Sequence, residues 1–415
     1  MQKGFMKNDN GIAIKGGEPV RQKPLYYGHQ WISEEDIKAV SRVLSSDYLT
    51  CGPEVEKLEK ELCAYVGASY AVAVSNGTAA LHCACIAAGI SNGDEVITTP
   101  LTFVASANCI RYCGGTVVFA DIDLDTYNIS PESIRKKITD KTKAVVAVDF
   151  TGQSVQNKEI REICDEYGLV FIEDAAHAIG TSYEGKKVGY LADMTCFSFH
   201  PVKTITSGEG GAITTNNSYF YRKILLAHTH GISHNPSEMQ FEDNIQNDDN
   251  YDSMAPWYYE QVLLGYNYRL TDFQAALLRS QLKRIDSFVH RRKKIVSRYD
   301  AAFSDIPGLI LQKEIPESDT CRHLYVLRLD LSKISCTRRD FFEAMRAENI
   351  YCQVHYIPVY WFYDYRKHGY QRGICPNAER IYESVLSLPL YPAMTDEDVD
   401  DVIMAVKKIV AEYHK

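Results

Sequence analysis

The sequence predicts an α/β fold, in which a large domain with a mainly parallel sheet between helices is followed by a smaller α/β domain. Three observations predict it. Short apolar, β-branched runs alternate with helical patterns from about residue 55 to 215. The same alternation resumes after Ile306-Pro307-Gly308. At 415 residues the chain is too long for one ordinary core, and division by about 150 suggests two or three domains. Crossover βαβ units produce that rhythm, and a sheet covered on both faces binds ligands at the carboxyl ends of its strands.

In chain order, Ala71-Val72-Ala73-Val74 reads as a strand and Thr78 to Ala88 as an apolar helix. Glu95-Val96-Ile97-Thr98 and Thr116-Val117-Val118-Phe119 are strands flanking a helix near Ala105–Tyr112. Ala144 to Val148 is another apolar run, Lys158–Tyr167 a helix and Val170-Phe171-Ile172 a strand. Residues 233–261 are acidic, amide-rich and aperiodic, which predicts a long surface insertion. One long helical pattern then runs from Thr271 to about Tyr299. The second set has a strand around Leu324–Leu329, a helix from Arg338 to Glu348 and a strand at Tyr351–His355. A last helix begins near Thr395, where Thr-Asp-Glu-Asp supplies a cap and first-turn acids. The expected division is 1–30 as an N-terminal segment, 31–295 as the large domain and 296–415 as the small one.

Composition narrows the function. Apolar residues make up 45% and charged residues 24% of an ordinary globular mixture. With 45 basic against 54 acidic residues the formal charge is −9, so no basic field draws in nucleic acid or an anionic membrane. An anionic ligand must be captured locally. No run of about 18 apolar residues and no apolar secretory core occurs, so a cytoplasmic protein is expected. The twelve cysteines are scattered without C-x-x-C spacing, which favours reduced core thiols and no metal centre.

Three segments can carry chemistry. Ser75-Asn76-Gly77-Thr78 follows a strand and opens a helix, where free N–H groups favour an anion; a plain capped helix reads the same way. Phe171-Ile172-Glu173-Asp174-Ala175-Ala176-His177 puts carboxylates and an imidazole at a strand end, where a desolvated Asp174 needs a cation or donor. Lys203 follows the apolar stretch Cys196-Phe197-Ser198-Phe199, and a lysine that loses hydration there becomes a nucleophilic amine. Two nucleotide motifs fail. The half fingerprint Gly208-Glu209-Gly210-Gly211 leads into a strand, and Gly180 to Lys187 lacks the Ser or Thr and the helix of a P-loop.

The order of these segments, with Lys203 lying 29 residues after Asp174, resembles fold type I enzymes that use pyridoxal 5′-phosphate (PLP). From Gly16-Gly17-Glu18-Pro19 to the last helix the chain resembles the DegT–StrS type sugar aminotransferases. The matching stretches are Leu49-Thr50-Cys51-Gly52-Pro53, Ser75 to Leu81, Gly93 to Pro100, Glu173 to His177, Ser198 to Lys203 and Gly265-Tyr266-Asn267-Tyr268-Arg269. The resemblance implies PLP as cofactor and assigns roles to individual residues. Lys203 would bond to the cofactor aldehyde and move protons, with His200 beside it in the catalytic set. Asp174 would pair with the ring nitrogen. Gly77, Thr78, Ala79 and the Ser198 hydroxyl would hold the phosphate, Phe103 would stack on the ring, and His177 would lie near the phenolic oxygen. Asn267 would reach the partner's phosphate, which implies a homodimer with shared active sites.

Within the family, Val148 to Val155, His200, His323-Leu324-Tyr325 and Gln353 to Tyr360 match members acting on UDP-linked 4-keto-6-deoxy sugars with L-glutamate as donor. His323, Tyr325, His355, Tyr356, Tyr360 and Arg269 would then contact that substrate. The insertion at 233–261 is longer than this subgroup leads one to expect. Related sugar dehydratases carry His where Lys203 stands, a desulfurase needs a mobile cysteine loop, and a non-catalytic sensor would have lost Lys203 or Asp174.

Overall fold

The computed structural model describes residues 11–239 and 257–415. Its centre is a seven-stranded sheet. In chain order the strands are β1 (Tyr70–Val74), β2 (Glu95–Thr98), β3 (Thr116–Phe119), β4 (Thr142–Val148), β5 (Val170–Asp174), β6 (Met194–Ser198) and β7 (Gly211–Thr215). They lie side by side as β1-β7-β6-β5-β4-β2-β3. Every neighbouring pair is parallel except those made by β7, which runs antiparallel to both β1 and β6. The crossovers carry α1 (Gly77–Ala87), α2 (Ala105–Tyr112) and α3 (Asn157–Tyr167).

The side-chain alternation explains why the strands read as unbroken apolar runs. Val72, Val74, Val146 and Ile172 join one core on the face covered by α1 and α2. Their neighbours Ala71 and Ala73, and likewise Val145, Ala147 and Phe171, join separate cores on the opposite face. With both faces buried, neither needs polar residues. All twelve cysteines are free and nine are buried, packing as small apolar groups.

Two expectations change. The helical pattern from Thr271 is two helices, α4 (Asp272–Leu282) and α5 (Ile285–Phe303), because Arg284 leaves helical geometry at φ −114°, ψ 3°. The break brings Gln281 and Arg284 to the same fully buried carboxylate, Asp36, which also accepts from the Ser33 N–H at 2.9 Å. The expected strand at Tyr351–His355 shrinks to Ile350–Tyr351, paired in parallel with Leu25–Tyr26; Gln353 adds one bridge to Ser387.

Helix α5 serves two cores. Ile285, Phe288 and Val289 pack with the large sheet, whereas Ile295, Val296, Tyr299 and Phe303 pack beneath a three-stranded antiparallel sheet. That sheet consists of β8 (Leu309–Leu311), β9 (Tyr325–Leu329) and β10 (Val385–Leu388). Ile12 and Leu25 join this second core too, so the N-terminal segment packs with the C-terminal part of the chain. The last helix, α6 (Asp396–Tyr413), starts with a full capping box between Thr395 and Asp398. The inner part of the expected 233–261 insertion lies outside the described residues. Its ends are short strands, Ile232–Ser233 against Glu260–Gln261. No helix among the described residues is long and apolar enough to cross a membrane.

Candidate active site

The carboxyl ends of β1, β4, β5 and β6 converge on one cavity of about 830 Å3. Gly77, Thr78, Ala79, Phe103, Asp174, His177, Ser198, His200, Lys203, His355 and Tyr356 all line it, so eleven of the expected residues meet there.

Helix α1 points its N-terminus into this space. Asn76 is extended at φ −170° and caps the helix by accepting the Ala79 N–H at 2.8 Å. That bond uses the donor expected at Ala79 for an anion, leaving the Gly77 and Thr78 N–H groups and the Thr78 hydroxyl. Close approach demands the two glycines here. A Cβ on Gly77 would meet the Ser198 Cβ at 2.8 Å, and one on Gly211 would meet the Asn76 carbonyl oxygen at 2.5 Å. Gly77→Ala should therefore push the helix start off the edge of β6. The expected result is a loss of about 1–3 kcal/mol of stability and weaker anion capture, read by denaturation and by cofactor titration.

Asp174 ends β5 with its carboxylate buried. Ser106 on α2 donates to its Oδ2 at 2.6 Å, and the Ala176 N–H donates to Oδ1 at 3.1 Å. Burial pushes this carboxyl up from its ordinary value, while the Ser106 bond, the Ala176 bond and Lys203 pull it back. Lys203 sits on the turn between β6 and β7. The turn is closed by Phe199 N–H to the Gly210 carbonyl at 2.8 Å and by Lys203 N–H to the His200 carbonyl at 2.9 Å. Burial lowers the Lys203 amine to about 8, against the opposing pull of Asp174. Near neutrality such an amine keeps a substantial neutral, nucleophilic fraction.

The third wall is imidazole and aromatic. His177 Nε2 and the Tyr356 hydroxyl lie 3.3 Å apart, with their rings stacked at 18°. Burial holds the His177 imidazole well below its usual range, helped by Lys203 and His355, so it is neutral. Its buried Nδ1 has no hydrogen-bond partner. His355, whose Nδ1 lies 2.8 Å from the Ser387 hydroxyl, is held down to about 3 by burial and Lys203. Phe103 stands at the mouth with 60% of its surface exposed, an open ring face rather than a core aromatic.

Other expected contacts lie elsewhere. Tyr325 is buried against Tyr299 and donates to Asp300 at 2.9 Å, within the second core. Tyr360 is fully buried and donates to Glu379 at 2.7 Å. Both expectations of a sugar contact are corrected, because each hydroxyl already has an internal partner. His323 is also not at the cavity wall; it packs behind His177, with ring centroids 4.5 Å apart. Asn267 and Arg269 sit outside the cavity on the segment that bridges to Thr229 and Val74. Conversely, Tyr27, Ser106, Tyr112 and Tyr268 line the cavity without having been singled out from sequence. Tyr268 belongs to the matching stretch Gly265-Tyr266-Asn267-Tyr268-Arg269 but carried no assigned role there.

The model of the DegT/DnrJ/EryC1/StrS aminotransferase family matches residues 30–407. The chain belongs to this family. It is 44% identical over 388 residues to the spore coat polysaccharide biosynthesis protein SpsC of Bacillus subtilis, covering 93% of this chain and 97% of that protein. It is 36% identical over 388 residues to the UDP-4-amino-4,6-dideoxy-N-acetyl-beta-L-altrosamine transaminase of Campylobacter jejuni, covering 92% of this chain and 97% of that one. Among solved structures, Helicobacter pylori PseC, an aminotransferase involved in the biosynthesis of pseudoaminic acid, superposes with a TM-score of 0.84. It is 31% identical and covers 94% of this chain and all of that one. The sugar aminotransferase Spr1654 of Streptococcus pneumoniae, 28% identical with a TM-score of 0.84, covers 94% of this chain and 99% of that one and is solved in its PLP form. Its PMP form superposes with a TM-score of 0.83.

The cofactor of this family aminotransferase is PLP, and the cavity fits it. The start of α1, with no room for side chains at Gly77 and Gly211, would suit a phosphate. Asp174 offers a buried carboxylate to a cationic ring nitrogen, Lys203 offers a desolvated amine to an aldehyde, and the unpartnered His177 nitrogen awaits a polar group.

Proposed function

We propose that this sugar aminotransferase moves an amino group from L-glutamate to C4 of a UDP-linked 4-keto-6-deoxy-N-acetylhexosamine, the reaction of pseudaminic acid biosynthesis. The observation that carries the catalytic part is the desolvated Lys203 amine facing the buried Asp174 carboxylate in one cavity. When bound, PLP supplies an aldehyde that exchanges amines and a cationic ring that draws electron density from the carbon losing its proton. Lys203 Nζ would hold the aldehyde in the resting enzyme and, once freed by the donor amine, would take the proton from the donor's α-carbon and deliver it across the nitrogen to the former aldehyde carbon. Asp174 would keep the ring nitrogen protonated, with Ser106 orienting its Oδ2. The N–H groups of Gly77 and Thr78 and the hydroxyls of Thr78 and Ser198 would bind the phosphate. Phe103 would cover the ring, and neutral His177 would offer a hydrogen bond to the phenolic oxygen. His200, exposed at the cavity rim, His355 and Tyr356 face the incoming sugar.

Support for the sugar comes from the names of the Campylobacter and Helicobacter relatives. The higher identity to SpsC favours a second reading, another nucleotide-linked 4-keto sugar. A homodimer with shared active sites is supported by Asn267, exposed outside its own chain's cavity, and by Leu264, which is 74% exposed on the same segment. A panel of UDP-, TDP- and GDP-linked 4-keto sugars, with NMR assignment of the aminated carbon, tests the substrate. We expect the UDP-linked N-acetylhexosamine to be turned over fastest. Preference for a TDP- or GDP-sugar would replace this substrate while leaving the transamination intact.

A further inference from the structure

On the face of the sheet opposite the cavity, directly behind Asp174, two carboxyls share one buried site. Asp149 follows the last residue of β4, and its N–H donates to the Asp174 carbonyl at 3.1 Å. Glu173 precedes Asp174 on β5 and pairs in register with Ala147, which makes Asp149 its diagonal neighbour on the same face. Both residues are fully buried. Glu173 is well supplied with donors, taking Asn157 Nδ2 on Oε1 at 2.9 Å and the Thr195 hydroxyl on Oε2 at 3.0 Å. Asp149 Oδ1 takes the Val155 N–H at 2.9 Å, but its buried Oδ2 has no donor at all.

A bare anionic oxygen in such a place is costly, and among the described residues the largest influences on the two carboxyls include no cation. An oxygen without a donor stops being an anomaly once it carries a proton, because it then becomes a donor itself. We propose that Asp149 is protonated in the working enzyme and donates its Oδ2–H to Glu173, so that the pair carries one negative charge and one shared proton behind Asp174. Asp149 is thus a positioning residue: it limits the charge behind Asp174 and leaves Asp174 as the carboxylate that faces the cavity. The titratable groups that face Asp149 are Glu173 and Asp174 on β5 and Cys321 in the segment before β9. Burial first, then the charge of Glu173, raises the Asp149 carboxyl well above its ordinary range.

A carboxyl whose folded value is raised contributes stability that is full below its unfolded value and is lost as pH rises through the folded one. The functional part rests on the reading of Asp174 given above, whereas the proton can be observed without it. The test is infrared difference spectroscopy of the holoenzyme, wild type against Asp149→Asn, at neutral pH. The expected result is a protonated-carboxyl band in the wild type that is absent from Asp149→Asn, whose amide donates to Glu173 with no titratable proton. The wild-type thermal midpoint and turnover should also both fall on the alkaline side, with both falls lost in Asp149→Asn. In the wild type alone, the band should fade on alkaline titration, a readout that does not depend on the variant folding. A wild-type spectrum without the band, or a band that persists in Asp149→Asn, would overturn the proposal.

Discussion

Replacing Lys203 with alanine is expected to lower transamination by about 10⁴-fold or more, because in the proposed cycle one amine would both anchor the aldehyde and carry the proton between two carbons. Neighbouring groups cannot substitute for it. His177 and His355 are held neutral by burial, but neither lies on the flexible reach of a lysine chain, and His355 is tied to Ser387. The Lys203→Ala protein should still bind the cofactor, since α1, Ser198 and Asp174 are untouched. Single-turnover mixing with L-glutamate would separate the two effects, with retained binding and lost chemistry as the expected pattern. Turnover within tenfold of the wild type would remove Lys203 from the mechanism.

Asp174→Asn is the second large effect. The substitution keeps size and the Ser106 contact but removes the charge that, in the proposed role, would hold a ring nitrogen protonated. An electrostatic group of this kind is worth roughly 3–4 kcal/mol, so kcat should fall by about 10²–10³-fold. The KM for glutamate should change little, because Asp174 is buried at the end of β5 and not at the cavity mouth. Steady-state kinetics on both half-reactions would check this. A loss confined to KM would assign Asp174 to substrate binding instead. Lys203 should feel the change as well. Asp174 is the group that pulls its amine upward, so in Asp174→Asn the amine should fall below about 8 and the acid limb of the pH profile should move to lower pH.

Much of this was legible in the sequence, for identifiable reasons. The large sheet could be read because its strands are buried on both faces and leave continuous apolar runs such as Tyr70–Val74 and Thr142–Val148. The places of Asp174 and Lys203 at the cavity could be read from their positions after apolar runs, whereas their roles came only with the family resemblance. Other features were hidden. The break between α4 and α5 leaves no mark, since Lys283 and Arg284 both suit a helix and the reason for the break lies some 250 residues away at Asp36. Ser106 looks like any small helix residue until the fold brings α2 against β5. Tyr325 and Tyr360 were expected at the substrate only through the family resemblance, and the core takes them instead. Whether a tyrosine faces a ligand or the core depends on where its hydroxyl finds a partner, and Asp300 and Glu379 are not visible from the local pattern.

Borohydride reduction of the holoenzyme followed by peptide mass analysis tests the central claim most directly. The account predicts a single reduced cofactor adduct on the peptide carrying Lys203, with reconstitution of the apoprotein by PLP growing faster as the pH rises through about 8 and the amine loses its proton. An adduct on any other lysine, or none, would contradict it.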